Sequence, residues 1–161
     1  MAKQKLPLST TTLPSDYRLH SRLGYRLSRM SRIMQTRLEN ALAPHGMNRL
    51  KWCVLSGVAL EGLSSPSDLA THIGITRPAT SRLLKVLEQE RLIARALAEE
   101  DGRARAIRVT DLGHQKVAAC RSLVDQNNLH FISKLGSADL AQLLLALDVL
   151  ARDEVTELDD M

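Results

Sequence analysis

The stretch that most restricts this chain is Ser65–Ile93, SPSDLATHIGITRPATSRLLKVLEQERLI. Ser65 before Pro66 predicts a helix start. The serine oxygen can accept from an orphan amide of the first turn, proline at the first helical position gives up no hydrogen bond, and Asp68 stands where a capping-box partner reaches back. Leu69 and Ile73 would point inward, and Gly74 can take the left-handed conformation that stops the helix. Thr76 then caps a second helix, in whose first turn Pro78 is tolerated. Two capped helices joined through Gly74-Ile75-Thr76 must meet at a tight corner.

What flanks the corner sets its context. Leu50–Leu60 reads as a compact apolar helix carrying the only tryptophan, Trp52, and ending at Gly62. Upstream, Leu19, Leu23, Leu27, Met30, Met34, Leu38 and Leu42 recur in steps of four and three, one long helical stripe that ends near Pro44. Arg18, Arg22, Arg26 and Arg29 ride beside that stripe, and His45–Asn48 break the chain after it. Beyond the corner the period shortens. Leu92–Leu97 and Ala106–Thr110 are apolar or alternating runs joined through AEEDGRA, a hairpin with Asp101-Gly102 at its tip. The helical period resumes at Asp111, pauses at Gly136-Ser137, and returns as a last stripe, Leu140, Leu143, Leu144, Leu147, Leu150 and Ala151. Met1–Ser15, with its threonine triplet and two prolines, reads as a flexible arm.

Composition agrees with a mainly α class. Aromatic residues are 2% of the 161-residue chain against 44% hydrophobic, so the core comes from Leu, Ile, Val, Ala and Met, and the length suits about one domain. The formal charge is +4, yet Asp148–Met161 holds six acids against Arg152, leaving 21 basic and 12 acidic residues, +9, on 1–147. Such an excess favours a polyanionic partner. Two cysteines, Cys53 and Cys120, imply no disulfide framework and fit a reducing cytoplasm, and no apolar run suggests a signal peptide or a membrane span. There is no glycine-rich phosphate loop, nucleophile elbow or apolar carboxylate pair, and the five histidines are scattered. The reading is therefore a protein that is not an enzyme, without cofactor or metal.

A helix pair followed by a charged hairpin is a helix-turn-helix with a wing. The major groove of B-DNA admits one helix, whose inner face must be anchored while its outer face offers donors to phosphates and base edges. Arg77, Ser81 and Lys85 share one face of the second helix, with Thr80 and Arg82 beside it and Thr76 and Pro78 at its start. Ala79, Leu83, Val86 and Leu87 are expected to face the core. Arg103 and Arg105 in the wing are expected to reach the minor groove or its phosphates.

The order of these elements resembles the multiple antibiotic resistance regulator (MarR) family of winged-helix transcription factors. The matching residues are LATHIGITRPATSRLLKVLEQERLIAR, then Asp101-Gly102-Arg103 in the wing tip, then Val109-Thr110-Asp111-Leu112-Gly113 at the next helix start. The element order matches from Asp16 onward, and the specific motifs span about residues 69–113. Arg91 stands where the family has glycine, and Ala98, Glu99 and Glu100 stand where its wing often carries a second Asp/Arg pair. With the arm over 1–15 set aside, the resemblance implies a helical dimerisation region from 16–46 and 112–158, and a DNA-binding lobe over 47–111. It implies a homodimer on a pseudo-palindromic double-stranded operator, a repressor released by a small molecule such as an aromatic acid or its thioester. Tyr17, His20, Arg26 and Trp52 would line the effector pocket. A winged-helix module that binds proteins rather than DNA is the rival reading.

Overall fold

The computed structural model describes residues 17–97 and 105–154, and the chain divides into two units, Met1–Ile33 and Met34–Met161. In the first unit Leu19–Ser21 make a single 3-10 turn, and helix α1 (Leu23–Leu42) begins, running on into the second unit. The predicted stripe is present. Its first half, Leu19, Leu23, Leu27 and Met30, is 40–54% exposed. Its last turns, in the second unit, carry Leu38 and Leu42 into a core.

That core belongs to the second unit and is built around helix α2 (Arg49–Glu61). Two acceptors serve the start of α2. Asn48 Oδ1 accepts from the Lys51 amide at 2.8 Å, and Glu39 Oε1 on α1 accepts from the Arg49 amide at 3.1 Å. Both satisfy donors that a helix leaves orphaned at its N-terminus. Trp52, Val54 and Leu55 of α2 are buried among Leu69 of helix α3 (Pro66–Ile73) and Leu84 and Leu87 of helix α4 (Arg77–Gln89). Burying each such leucine contributes about 1.5–3 kcal/mol relative to exposing it.

The corner between α3 and α4 forms as its residues dictate. The Ser65 hydroxyl accepts from the Asp68 amide at 3.0 Å, and Pro66 opens the helix. At Gly74 the chain turns left-handed, with φ of 72°, and its amide donates to the Ala70 and Thr71 carbonyls. Thr76 Oγ1 then accepts from the Ala79 amide at 3.3 Å to start α4.

Strands β1 (Ile93–Leu97) and β2 (Arg105–Val109) pair antiparallel, with Ile93 opposite Val109 and Arg95 opposite Ile107. Ile93 and Ile107 face the core while Ala94 and Arg108 face out, the alternation of a half-buried hairpin. The Ile107 amide donates to the Ser64 carbonyl at 2.9 Å, fixing the hairpin to the segment before α3. The second strand ends one residue earlier than the sequence pattern suggests, because Thr110 has another task. Its Oγ1 caps helix α5 (Asp111–Ile132) by accepting from the Gly113 amide at 3.1 Å, and its hydroxyl donates to the Arg91 carbonyl at 2.6 Å. Gly113 is a close-approach position. A Cβ there would fall on the Leu92 carbonyl oxygen and against the Val109 side chain.

Helix α5 gives Val117 and Cys120 to the same core, and farther along Asn127 Nδ2 donates to the Met34 carbonyl at 3.4 Å. Helix α6 (Ser137–Ala151) buries no residue. Leu143, Leu144, Leu145, Leu147, Val149 and Leu150 are 38–63% exposed and occupy every side of it. Among the described residues no helix is long and apolar enough to cross a membrane.

Candidate nucleic-acid interface

Helix α4 is locked on one side and open on the other. Thr80, Leu84 and Leu87, spaced four and three apart, are 0–1% exposed, and Leu83 is half-buried beside them. Opposite them Arg77, Ser81 and Lys85 form an exposed row, and Pro78 and Arg82 form the neighbouring one. Residues four apart lie about one turn above each other, so each row is a line of donors along the helix. Arg82 Nε donates to the Pro78 carbonyl at 3.4 Å, which holds its guanidinium over the first turn.

Two expectations about this helix are corrected. Thr80, counted among the outward residues, lies wholly inside; its hydroxyl donates to the Thr76 carbonyl one turn back at 3.1 Å. A threonine whose hydroxyl is satisfied by its own helix leaves only a methyl to pack, so it serves as a small core residue. Val86, expected inside, is 40% exposed, and Leu84 takes the inward position. Thr76 is half-buried, its oxygen turned to the Ala79 amide as the cap.

The charges on α4 are segregated. Its acids cluster at the C-terminal end, where each meets a cation from another element. Glu88 Oε2 lies 3.4 Å from Arg95 Nε of β1, and Glu90 Oε1 lies 2.6 Å from Lys51 Nζ of α2. Toward the N-terminus Arg77, Arg82 and Lys85 have no carboxylate within ion-pair distance among the described residues. The cationic part of the helix therefore faces solvent without a carboxylate partner among the described residues.

The backbone just past α4 is unusual. Arg91 has φ of 57°, a left-handed conformation that costs a side-chain-bearing residue about 1–2 kcal/mol relative to glycine. It is held there by its neighbours: the Arg91 amide donates to the Glu88 carbonyl at 3.0 Å, the Leu92 amide to the Leu87 carbonyl at 2.9 Å, and its own carbonyl accepts from Thr110. This is the position where the resemblance expected glycine, and the turn that glycine would favour forms without it.

In the wing, Arg105 lies in β2 by its backbone, and Arg103 lies outside the described residues. The expectation that these two arginines reach DNA is carried by sequence alone.

Of the four expected effector-lining residues, three belong to the first unit and one to the second. In the first unit His20 and Arg26 line one groove of about 270 Å³, with Tyr25, Arg29, Met30 and Ile33. The His20 and Tyr25 rings meet edge to face at 4.7 Å, and Arg26 Nε donates to the His20 carbonyl at 3.1 Å. Tyr17 is 61% exposed beneath the Arg22 guanidinium, 4.9 Å from its ring centre. Trp52 belongs to the core of the second unit, at 9% exposure. The groove residues that sequence reasoning missed had a signal: Tyr25, Arg29 and Ile33 follow one another at four-residue steps, as do Arg26 and Met30.

The cysteines are free, Cys53 half-buried and Cys120 fully buried. Burial pushes both thiols above their ordinary range, more than Arg49 pulls Cys53 back or Lys116 pulls Cys120 back. A higher thiol pKa means less of the reactive thiolate. No cluster of three metal-ligating side chains occurs among the described residues.

Residues 45–104 match the model of the MarR family. The chain is similar to a transcriptional repressor, CouR, solved bound to a 23-mer DNA duplex. Identity to that structure is 27%, over 83% of this chain and 95% of that one, with a TM-score of 0.72. It is similar to CouR bound to p-coumaroyl-CoA at 25% identity, over 84% and 95% of the two chains, with a TM-score of 0.74. A complex of S. aureus MepR with DNA matches at 24% identity, over 83% and 98%, with a TM-score of 0.75.

Proposed function

We propose that this protein is a homodimeric, sequence-specific DNA-binding transcription regulator, a reading supported by the match of residues 45–104 to the MarR-family model and by the likeness to regulators solved with DNA. The observation that carries the reading is the pair of rows on α4. Arg77, Pro78, Ser81, Arg82 and Lys85 are exposed while the opposite face is fixed by Thr80, Leu84 and Leu87. A helix held that firmly can enter a major groove without losing its packing, and its arginines match the guanine edge bidentately. Arg103 and Arg105 of the wing reach the adjacent minor groove or its phosphates. Thr76 acts through the helix it caps.

The exposed apolar surface of α6 supports a second copy. A helix apolar on every side is stable only when covered, and α6 leaves six large apolar side chains 38–63% exposed. A two-fold dimer covers that surface and offers two copies of α4 about one DNA turn apart, roughly 34–36 Å, for a pseudo-palindromic operator. The effector is an anionic aromatic compound, an aromatic acid or its thioester. The groove of the first unit supports this with two guanidinium groups, Arg26 and Arg29, beside two aromatic rings and the apolar Met30 and Ile33. The relative CouR, solved both with a DNA duplex and with p-coumaroyl-CoA, fits a repressor released by such a ligand.

The test is an electrophoretic shift with the DNA flanking the protein's own coding sequence, across a range of salt. A regulator gives a complex that scrambled DNA does not displace and whose affinity falls steeply with salt, as phosphate neutralisation requires. A winged-helix module that binds only proteins gives no selective complex.

A further inference from the structure

The turn after α1 is a junction. Ala43–His45 form a 3-10 turn closed at Gly46. Its last two carbonyls each receive an ammonium group, Lys116 Nζ of α5 on His45 at 2.6 Å and Lys51 Nζ of α2 on Gly46 at 3.4 Å. Lys51 also donates to both carboxylate oxygens of Glu90, at 2.6 and 2.8 Å. Glu90 is the residue that closes the C-terminal end of α4, and the Lys51 side chain is only 15% exposed. One ammonium thus joins the end of α4 to a turn that α5 holds from the other side.

Glu90 is poorly placed by general electrostatics. The C-terminal end of a helix carries partial negative charge, which disfavours a carboxylate. A negative side chain on a lobe that binds a polyanion is unfavourable as well. Local stability and DNA attraction thus give no reason for an acid here, whereas the two short hydrogen bonds to Lys51 do. α4 is about 20 Å long at 1.5 Å per residue. A shift of its far end swings the row of Arg77, Ser81 and Lys85.

We propose that Lys51 and Glu90 are positioning residues for sequence recognition: their ion pair fixes the angle at which α4 presents its exposed rows. This rests on the DNA-reading function proposed above. Neither residue touches DNA; each acts through the orientation of the helix.

The experiment measures the full chain by fluorescence anisotropy at one salt concentration against two duplexes. One is recovered from a random-sequence pool by the wild-type protein, the other is a scrambled sequence of the same length. Charge alone fixes the signs in one way: Glu90→Gln tightens both duplexes, and Lys51→Met weakens both. Positioning reverses the first sign selectively. Glu90→Gln weakens the recovered duplex roughly three- to tenfold and leaves the scrambled one unchanged or tighter. Lys51→Met lowers the ratio of the two affinities by a similar factor, the double variant is no worse than either single, and the exchanged pair Lys51→Glu/Glu90→Lys regains part of the ratio. Tightening of both duplexes by Glu90→Gln, or losses that simply add in the double variant, overturns the inference. Should Lys51→Met fail to fold, the sign for Glu90→Gln, whose carboxylate is 40% exposed, decides alone. A wild-type protein that recovers no preferred sequence overturns instead the DNA-reading function beneath.

Discussion

The core of the second unit and the helix α6 draw on the same residue type with opposite results. Leu42, Leu55, Leu69, Leu84 and Leu87 are 0–1% exposed, whereas Leu143, Leu144, Leu145, Leu147 and Leu150 are 38–63% exposed. In the core, leucines recur at positions that caps and turns aim toward a common centre: Asn48, Ser65, Thr76 and Thr110 each start a helix by accepting a backbone N–H. In α6 the leucines crowd together, Gly136 offers no side-chain cap, and no one face collects them. A fifteen-residue helix is marginal on its own in water. The core therefore closes within one chain, and the apolar surface of α6 is a demand on something outside it, which the dimer reading meets with a second copy.

The hardest blow to this contrast falls on α6. Leu144→Asp places a carboxylate in the proposed interface, where desolvation costs several kcal/mol. Light scattering should give a monomer, with operator affinity reduced by more than tenfold; an unchanged dimer removes α6 from the interface. Within the second unit, Arg82→Ala should weaken operator binding by about 1–3 kcal/mol at unchanged melting temperature. Its counterpart Thr80→Val removes an inward hydroxyl whose acceptor, the Thr76 carbonyl, keeps the Thr80 amide as a donor, so operator affinity should stay within about twofold. A large loss of selectivity from Thr80→Val would mean that the inner and outer faces of α4 are wrongly assigned.

Smaller effects test the packing. Gly113→Ala drives a methyl into the Leu92 carbonyl and should destabilise by about 1–3 kcal/mol, read as a lower midpoint in urea. A neutral substitution would show that α5 and the hairpin can part without cost. Arg91→Gly relieves the left-handed strain at the end of α4 and should raise stability by about 1 kcal/mol. A loss instead would mean that the Arg91 side chain contributes more than its backbone costs.

Much of this contrast could be read in the residues before any coordinates. Ser65-Pro66, Gly74 and Thr76 announce the corner because each acts within one turn of chain, and hairpin residues alternate with a period set by the backbone. Three features were hidden for physical reasons. Thr80 turns inward because its hydroxyl is satisfied by the Thr76 carbonyl, a local bond that hydrophobicity scales do not count. Trp52 sits in the core because α2 is buried on several sides, so no polar face marks which of its residues could reach a ligand. Arg91 takes a glycine's conformation because three backbone or hydroxyl hydrogen bonds around it outweigh its own preference. The groove at His20 and Arg26 was legible in half, since the four-residue steps through Tyr25 and Arg29 lie on one helix.

Hydroxyl-radical footprinting of the wild-type protein on the DNA flanking its coding sequence bears most directly on the idea that two copies of α4 read one duplex. Two protected patches related by two-fold symmetry, with centres about one helical turn apart, are the expected result. A single unpaired patch, or uniform protection that scrambled DNA abolishes, would contradict it.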